Sequence, residues 1–259
     1  MLAAVKSGDA KELAELIRQD PGYDVNMGQN ATGWTLLHYA CYEDAVIPVL
    51  LAHPAIDVNV KPESGFTPFM LAGSNGCTSC VRELLKDPRV KVNETINGGR
   101  TPLWYATTND RLEVIKWWIA SGREMDLGTP GDVYKTDAIS MAKKWGRHEV
   151  VTLLQRFKEN PEETTHKIRV ELGWYAEAAA EIFALMVFVS DELLQVNDAT
   201  TPSPAARFFS IARKLPLELK MILCLRVVGS VKELIPTMER EAAFKELANR
   251  LLWSSMFTS

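Results

Sequence analysis

Four stretches of this chain repeat one pattern at a nearly constant distance, and the repetition limits the fold more than any other feature. Three of them read Gly33-Trp34-Thr35-Leu36-Leu37-His38-Tyr39-Ala40, Gly65-Phe66-Thr67-Pro68-Phe69-Met70-Leu71-Ala72 and Gly99-Arg100-Thr101-Pro102-Leu103-Trp104-Tyr105-Ala106. The fourth is a worn copy, Asp137-Ala138-Ile139-Ser140-Met141-Ala142. The aligned alanines Ala40, Ala72, Ala106 and Ala142 stand 32, 34 and 36 residues apart. A period in the low thirties belongs to stacked supersecondary units that bury their apolar faces only against their neighbours. Such an array presents an extended surface, so the period favours binding over catalysis.

Each part of the pattern has a physical reason. Thr before Pro starts a helix: the hydroxyl accepts from a free amide, and Pro fits the first turn. Gly ahead of the Thr marks a tight turn with torsions that other residues avoid. The closing Ala lets two helix backbones approach. A second apolar block follows each copy: Val49-Leu50-Leu51, Val81 with Leu84-Leu85, Val114-Ile115 with Ile119, and Val150-Val151 with Leu153-Leu154. Polar loops then close the first three units at Asp57-Val58-Asn59, Lys91-Val92-Asn93 and Met125-Asp126-Leu127. Asp24-Val25-Asn26 has the same form, and Ala4 and Gly8 stand where Ala72 and Gly76 stand later, so a fragmentary unit precedes the first copy.

These residues resemble the ankyrin repeat, with its core Gly-x-Thr-Pro-Leu-His-x-Ala. The third copy matches best although Trp104 replaces the His; the first keeps His38 but has Leu36 in place of Pro; the fourth has lost Thr-Pro. The resemblance spans residues 1–157 and implies an all-α solenoid of helix-turn-helix pairs joined by β-hairpin-like loops, about four repeats plus a short N-terminal fragment. It also implies that His38 hydrogen-bonds within its turn, and that a partner contacts the turn tips and the inner face of each first helix. By alignment the tips hold Trp34, Phe66 and Arg100, and the inner positions hold Tyr42, Glu43, Ser74, Asn75, Thr108, Asn109, Lys144 and Trp145. Trp, Tyr and Arg are the residues most enriched at binding hot spots. The two aromatic tips, Trp34 and Phe66, either meet a partner or fold back over the neighbouring turn.

Composition narrows the function classes. The net charge is −4, and each part of the chain, 1–157 and 158–259, carries two more acidic than basic residues, so no basic footprint for nucleic acid or an anionic membrane exists. The longest uncharged run in the apolar stretch Trp174–Val189 is Ile182–Ser190, too short to span a bilayer, and no membrane insertion is expected. The N-terminus lacks a charged segment followed by an apolar run, so the expected location is cytoplasmic or nuclear, not secreted. The four histidines are dispersed, and no phosphate loop, nucleophile elbow or His-Glu-x-x-His motif occurs, so no enzyme, metal or cofactor is expected. Cys77 and Cys80 form a lone CxxC, open to a redox or half-zinc reading. A closed zinc site needs four ligands, and the plainer reading is two small residues at the start of a second repeat helix.

After Leu153-Leu154 the pattern stops, and residues 158–259 read as a helical C-terminal domain or cap. Helices are expected over about Glu162–Leu172 and Trp174–Val189. A linker follows at Asn197–Pro204, then helices over Ala205–Lys214 and from Leu215, and a last amphipathic helix with Ala243, Leu247, Leu251 and Leu252 in a stripe. Leu215, Leu219, Ile222, Leu223 and Val227 share one helical face. The segment Leu215-Pro216-Leu217-Glu218-Leu219 resembles the opening of an F-box, which would make Leu215, Pro216 and Leu219 contacts for a ubiquitin-ligase adaptor subunit. The expected function is a non-catalytic module or scaffold that binds another protein; the alternative is a substrate-recognition adaptor of a ubiquitin ligase.

Overall fold

The computed structural model describes residues 1–96, 98–128, 137–190, 212, 214–228, 240, 242–244 and 246–248. Helices α1 (Leu2–Lys6) and α2 (Ala10–Gln19) open the chain, followed by α3 (Leu36–Ala40) and α4 (Ile47–Ala52). Three more pairs succeed them: α5 (Pro68–Asn75) with α6 (Thr78–Lys86), α7 (Pro102–Thr108) with α8 (Leu112–Ser121), and α9 (Ala138–Lys144) with α10 (His148–Glu159). First helices pack on first helices, α1 on α3 and so on to α7 on α9. Second helices do the same from α2 on α4 to α8 on α10. The result is a two-layer, all-α solenoid, and the N-terminal fragment contributes a helix pair of its own.

The repeated residues do what their chemistry dictates. Thr67 and Thr101 accept from the amides of Met70 and Trp104, each at 3.2 Å, at the starts of α5 and α7. Where Thr-Pro is lost, Asp137 takes over the cap, accepting from the Ile139 amide at 3.0 Å and the Ser140 hydroxyl at 2.5 Å. The tip glycines Gly33, Gly65 and Gly99 have φ of 78°, 74° and 75°, the left-handed region that a Cβ penalises. Asp110 occupies the same region at φ 60° where other repeats place Gly8, Gly76 and Gly146. Asp tolerates this conformation better than most residues.

The polar loops form a ladder between repeats. The Asn26 side chain donates to the Ala55 carbonyl at 2.7 Å and accepts from the Asp57 amide at 2.8 Å. Asn59 repeats this with Arg89 and Lys91 at 2.8 and 2.7 Å, and Asn93 with Glu124 and Asp126 at 3.2 and 3.0 Å. Val25, Val58 and Val92, each beside its Asn, are buried. Arg123 locks the third repeat to the second by donating to the carbonyls of Leu85, Asp87 and Val90.

His38 has the structural role implied by the resemblance. It is fully buried; its Nδ1 accepts from the Thr35 amide at 3.2 Å, and its Nε2 lies 3.0 Å from the Phe66 carbonyl of the next tip. Burial pushes its pKa below the usual 6.5, against the opposing pull of that carbonyl. The unfolded chain therefore binds the proton that the folded chain refuses. Stability should be full above pH 6.5 and fall as the pH drops below it. In urea melts between neutral and mildly acidic pH, His38→Gln, which keeps an acceptor for the Thr35 amide, should flatten this decline. His53, also held low by burial, leaves a residue of it. An unchanged slope would show that His38 is not the titrating group.

The chain divides into two compact units, with Met1–Ile168 in the first and Arg169–Leu252 in the second. Helix α11 (Pro161–Glu171) lies mostly in the first, where Thr164 and Ile168 are buried. The second unit holds α12 (Trp174–Ser190) and α13 (Leu217–Val227), which pack together around Ala180, Phe183, Ala184, Met186, Cys224 and Leu225. Phe244 joins them, edge-on to Phe183 at 6.0 Å, and Ala243 is buried in the same cluster. The Cys224 thiol is pushed up to about 12 by this burial. Leu251, Leu252, the linker Asn197–Pro204 and most of the helix expected over Ala205–Lys214 lie outside the described residues. Among the described residues no single helix is long and apolar enough to cross a membrane.

Candidate partner-binding groove

The first helices of successive repeats stand side by side, so residues one period apart in sequence become neighbours on one surface. Between α5, α7 and α9 this surface is hollowed into a groove of about 700 Å³. Phe66 and Ser74 enter it from the second repeat, Arg100, Trp104, Tyr105, Thr108 and Asn109 from the third, and Met141, Lys144, Trp145 and Arg147 from the fourth. The aromatic rings support one another: Phe66 lies 4.7 Å from Tyr105, and Trp104 stands edge-on to Tyr105 at 5.0 Å. The Arg100 guanidinium lies over the Trp104 ring at 4.7 Å. Trp145 is 55 % exposed, with its large apolar face open to solvent.

Polar contacts hold the groove in shape. The Asn109 amide donates to the Ser74 carbonyl at 3.1 Å and to its hydroxyl at 2.9 Å, while Arg111 Nε donates to the same carbonyl at 3.0 Å. Arg147 lies 3.5 Å from the Asp110 carboxylate and donates to the Thr108 carbonyl at 3.4 Å. The left-handed turn at Asp110 thus sets a carboxylate against a cation of the next repeat.

A second, shallower recess of about 550 Å³ lies at the first tip, lined by Asn30, Thr32, Trp34, Tyr39, Glu63 and Ser64. Trp34 folds back over its own repeat, stacking on Tyr42 at 6.4 Å and meeting Tyr39 edge-on at 5.6 Å. Lys6 lies over the other partner, Tyr39, at 5.0 Å. Tyr42 keeps half its surface exposed, and Glu43 beside it is half-buried.

The structure therefore brings Phe66, Ser74, Arg100, Thr108, Asn109, Lys144 and Trp145 together along one groove, with Trp34 in the other recess. Tyr42, Glu43 and Asn75 line neither; Asn75 is exposed at the end of α5. Trp104, Tyr105, Met141 and Arg147 line the groove without standing out in the sequence. Trp104 had the clearest signal, because a large indole replaces the small, internally bonded His of the pattern.

Two further places bear on chemistry. Cys77 and Cys80 sit at the start of α6, as their spacing suggests, and are joined in a disulfide, with Cys80 fully buried in the core. Among the described residues no three His, Cys, Asp or Glu gather to hold a metal ion. In α13 the buried side is formed by Lys220, Met221, Cys224 and Leu225, while Leu217, Leu219, Ile222 and Val227 are exposed. Of the stripe Leu215, Leu219, Ile222, Leu223 and Val227, the residues Leu219, Ile222 and Val227 are exposed, whereas Leu223 is partly buried against the core cluster. The helix is apolar nearly all round, so periodicity alone does not choose its buried side. Leu215 is half-buried and Pro216, at the N-cap, is exposed.

The comparison with known proteins agrees with the architecture. A family model described as ankyrin repeats matches residues 1–96 in three copies. Residues 1–96 are ankyrin repeats. It is 38 % identical over 96 residues to the human and bovine SMC5-SMC6 complex localization factor protein 1, covering 36 % of this chain and 9 % of each relative. Ankyrin repeat-containing protein C6C3.08 of Schizosaccharomyces pombe is 35 % identical over 86 residues, 32 % of this chain and 37 % of its own length. The chain thus spans less than a tenth of the length of the first two relatives. Ankyrin repeats are general protein-interaction modules, and the five helix pairs carry that architecture past residue 96 to α10.

Proposed function

We propose that this chain is a non-catalytic scaffold that holds a segment of a partner protein in the groove between α5, α7 and α9. The observation that carries this reading is the convergence of Phe66, Arg100, Trp104, Lys144 and Trp145 from three successive repeats on one open hollow. Exposed Trp, Tyr and Arg clustered in a concavity are the composition of a hot spot. A solenoid whose loops are tied by the Asn26, Asn59 and Asn93 ladder offers this surface already ordered, which spares a partner much of the entropy cost of binding. Helix α11, whose Thr164 and Ile168 are buried, serves on this reading to close the end of the solenoid after α10.

The test is capture on the immobilised full chain beside Trp145→Ala and a distant control, Lys91→Ala. Trp145→Ala should weaken the partner by about 2 kcal/mol, roughly 30-fold in affinity. Being exposed, it should change unfolding free energy by less than about 0.5 kcal/mol. Equal capture by all three proteins would remove the groove from the reading.

A second reading, the ubiquitin-ligase adaptor, rests on Leu219, Ile222 and Val227, exposed along one side of α13, and on the exposed Leu217 at its start, in the F-box-like opening. Leu217→Asp with Leu219→Asp should then lose a ligase subunit while keeping the groove's partner, with the circular dichroism spectrum unchanged. Retention of the ligase subunit, or its absence from the wild-type capture, removes this reading.

A further inference from the structure

The charges around the groove select a partner chemistry. Among the described residues three cationic side chains line it, Arg100, Lys144 and Arg147, and no carboxylate does. Arg147 shares Asp110 at 3.5 Å, whereas Arg100 and Lys144, both exposed, make no ion pair among the described residues. The Arg100 guanidinium lies over the Trp104 ring, and its planar fork of N–H donors is suited to a bidentate acceptor. The recess at the first tip has the opposite character, with Glu63 in its lining. The cationic groove is thus a local feature of a chain whose net charge is −4. At physiological salt, screening confines such a field to about 8 Å, so it acts on groups seated in the groove and not on distant polyanions.

Building on the groove reading above, we propose that the bound segment is an acidic peptide. Its carboxylates meet Arg100 and Lys144, and a flanking aliphatic or aromatic side chain packs between the Tyr105 and Trp145 rings. Each anion replaces water on a cation that makes no ion pair among the described residues. The aromatic walls supply the apolar area that a flexible acidic strand needs to offset its loss of freedom. The same acceptors are offered by phosphoserine, so acidic and phosphorylated segments share the chemistry.

The experiment is fluorescence anisotropy on the full chain with short labelled peptides of one framework carrying a single Trp. Their variable positions are filled with Glu and Asp, with Gln and Asn, with Lys, or with phosphoserine. The Glu/Asp peptide should bind at least about tenfold more tightly than the amide peptide, and the margin should shrink as salt rises. Lys144→Glu and Arg100→Glu should each erase most of that margin. Lys144→Gln should erase part of it, and all three variants should melt as the parent does. Tighter binding by phosphoserine than by Glu/Asp would assign the anion to a phosphorylated segment and overturn the carboxylate proposal.

Equal affinity for the amide peptide, preference for the Lys peptide, or indifference to both charge reversals overturns it. So does a short DNA duplex that binds as well as the acidic peptide, since that would make the site a general polyanion patch. The two readings separate cleanly. A captured partner lost by Trp145→Ala but kept by Lys144→Glu leaves the groove standing and removes the acidic segment. A partner kept by both removes the groove itself.

Discussion

Trp118→Ala is expected to cost about 3–5 kcal/mol of unfolding free energy, the range for deleting a large buried aromatic. Trp118 on α8 is among the largest fully buried side chains, and its ring stands edge-on to Phe69 of α5 at 4.9 Å. The contact ties the second helix of one repeat to the first helix of the preceding one. Its loss weakens an interface between units, the term that holds a solenoid together. The indole Nε1 is buried without a hydrogen-bond partner, so part of what Trp118 brings to the core is offset by a desolvated N–H. Trp118→Phe, which removes the orphan donor and keeps an aromatic ring, should therefore cost less than about 1.5 kcal/mol. A double-mutant cycle with Phe69→Ala should show coupling of roughly 0.5–1.5 kcal/mol, as expected for an aromatic pair. Equal losses for Trp118→Ala and Trp118→Phe in urea melts would contradict this account, since a phenyl ring would then recover none of the indole's packing.

Where the sequence was legible, local chemistry and tertiary packing ask for the same residues. Thr67 and Thr101 cap helices whether or not a neighbour is present, and Ala72 and Ala106 are small because another helix must come close, so both leave a periodic trace. Once the period is known, alignment carries the inner positions of one repeat to the next. That is why Ser74, Thr108, Asn109, Lys144 and Trp145 could be named before any geometry was in hand. Trp104, Tyr105 and Met141 escaped because they occupy positions that the pattern assigns to packing; that they also face the hollow depends on how far apart α7 and α9 stand. The tip residue Trp34 shows the reverse. Its exposure was an open choice in sequence, decided by Tyr39 and Tyr42 lying within reach of its ring. Helix α13 was the least legible, since Leu217, Leu219, Ile222 and Val227 are as apolar as the Met221, Cys224 and Leu225 that are buried. The cysteine spacing placed Cys77 and Cys80 on one helical turn, but whether they bond depends on backbone torsions that spacing does not encode.

Leu103→Ala is expected to cost roughly 2–5 kcal/mol, the range for truncating a fully buried Leu. Leu103 follows Pro102 at the start of α7, in the first-helix layer, and none of its surface is exposed. Helix α7 packs on α5 on one side and α9 on the other, so a cavity there faces two repeat interfaces at once. Leu85, near the end of α6 in the second-helix layer, retains 6 % exposure and has a freer border. The cost of a cavity depends on how far the surroundings can collapse into it, and a residue at the rim collapses more easily. Leu85→Ala should therefore fall at the lower end of the same range, below Leu103→Ala. A slope of the urea transition that falls along with the midpoint in Leu103→Ala would mean that the array no longer unfolds as one unit. That is the expected failure of a solenoid whose central interface has been weakened, because the repeats on either side are joined through α7 and its partner α8. A Leu103→Ala melt that overlays the parent would contradict the packing of α7 between its two neighbours.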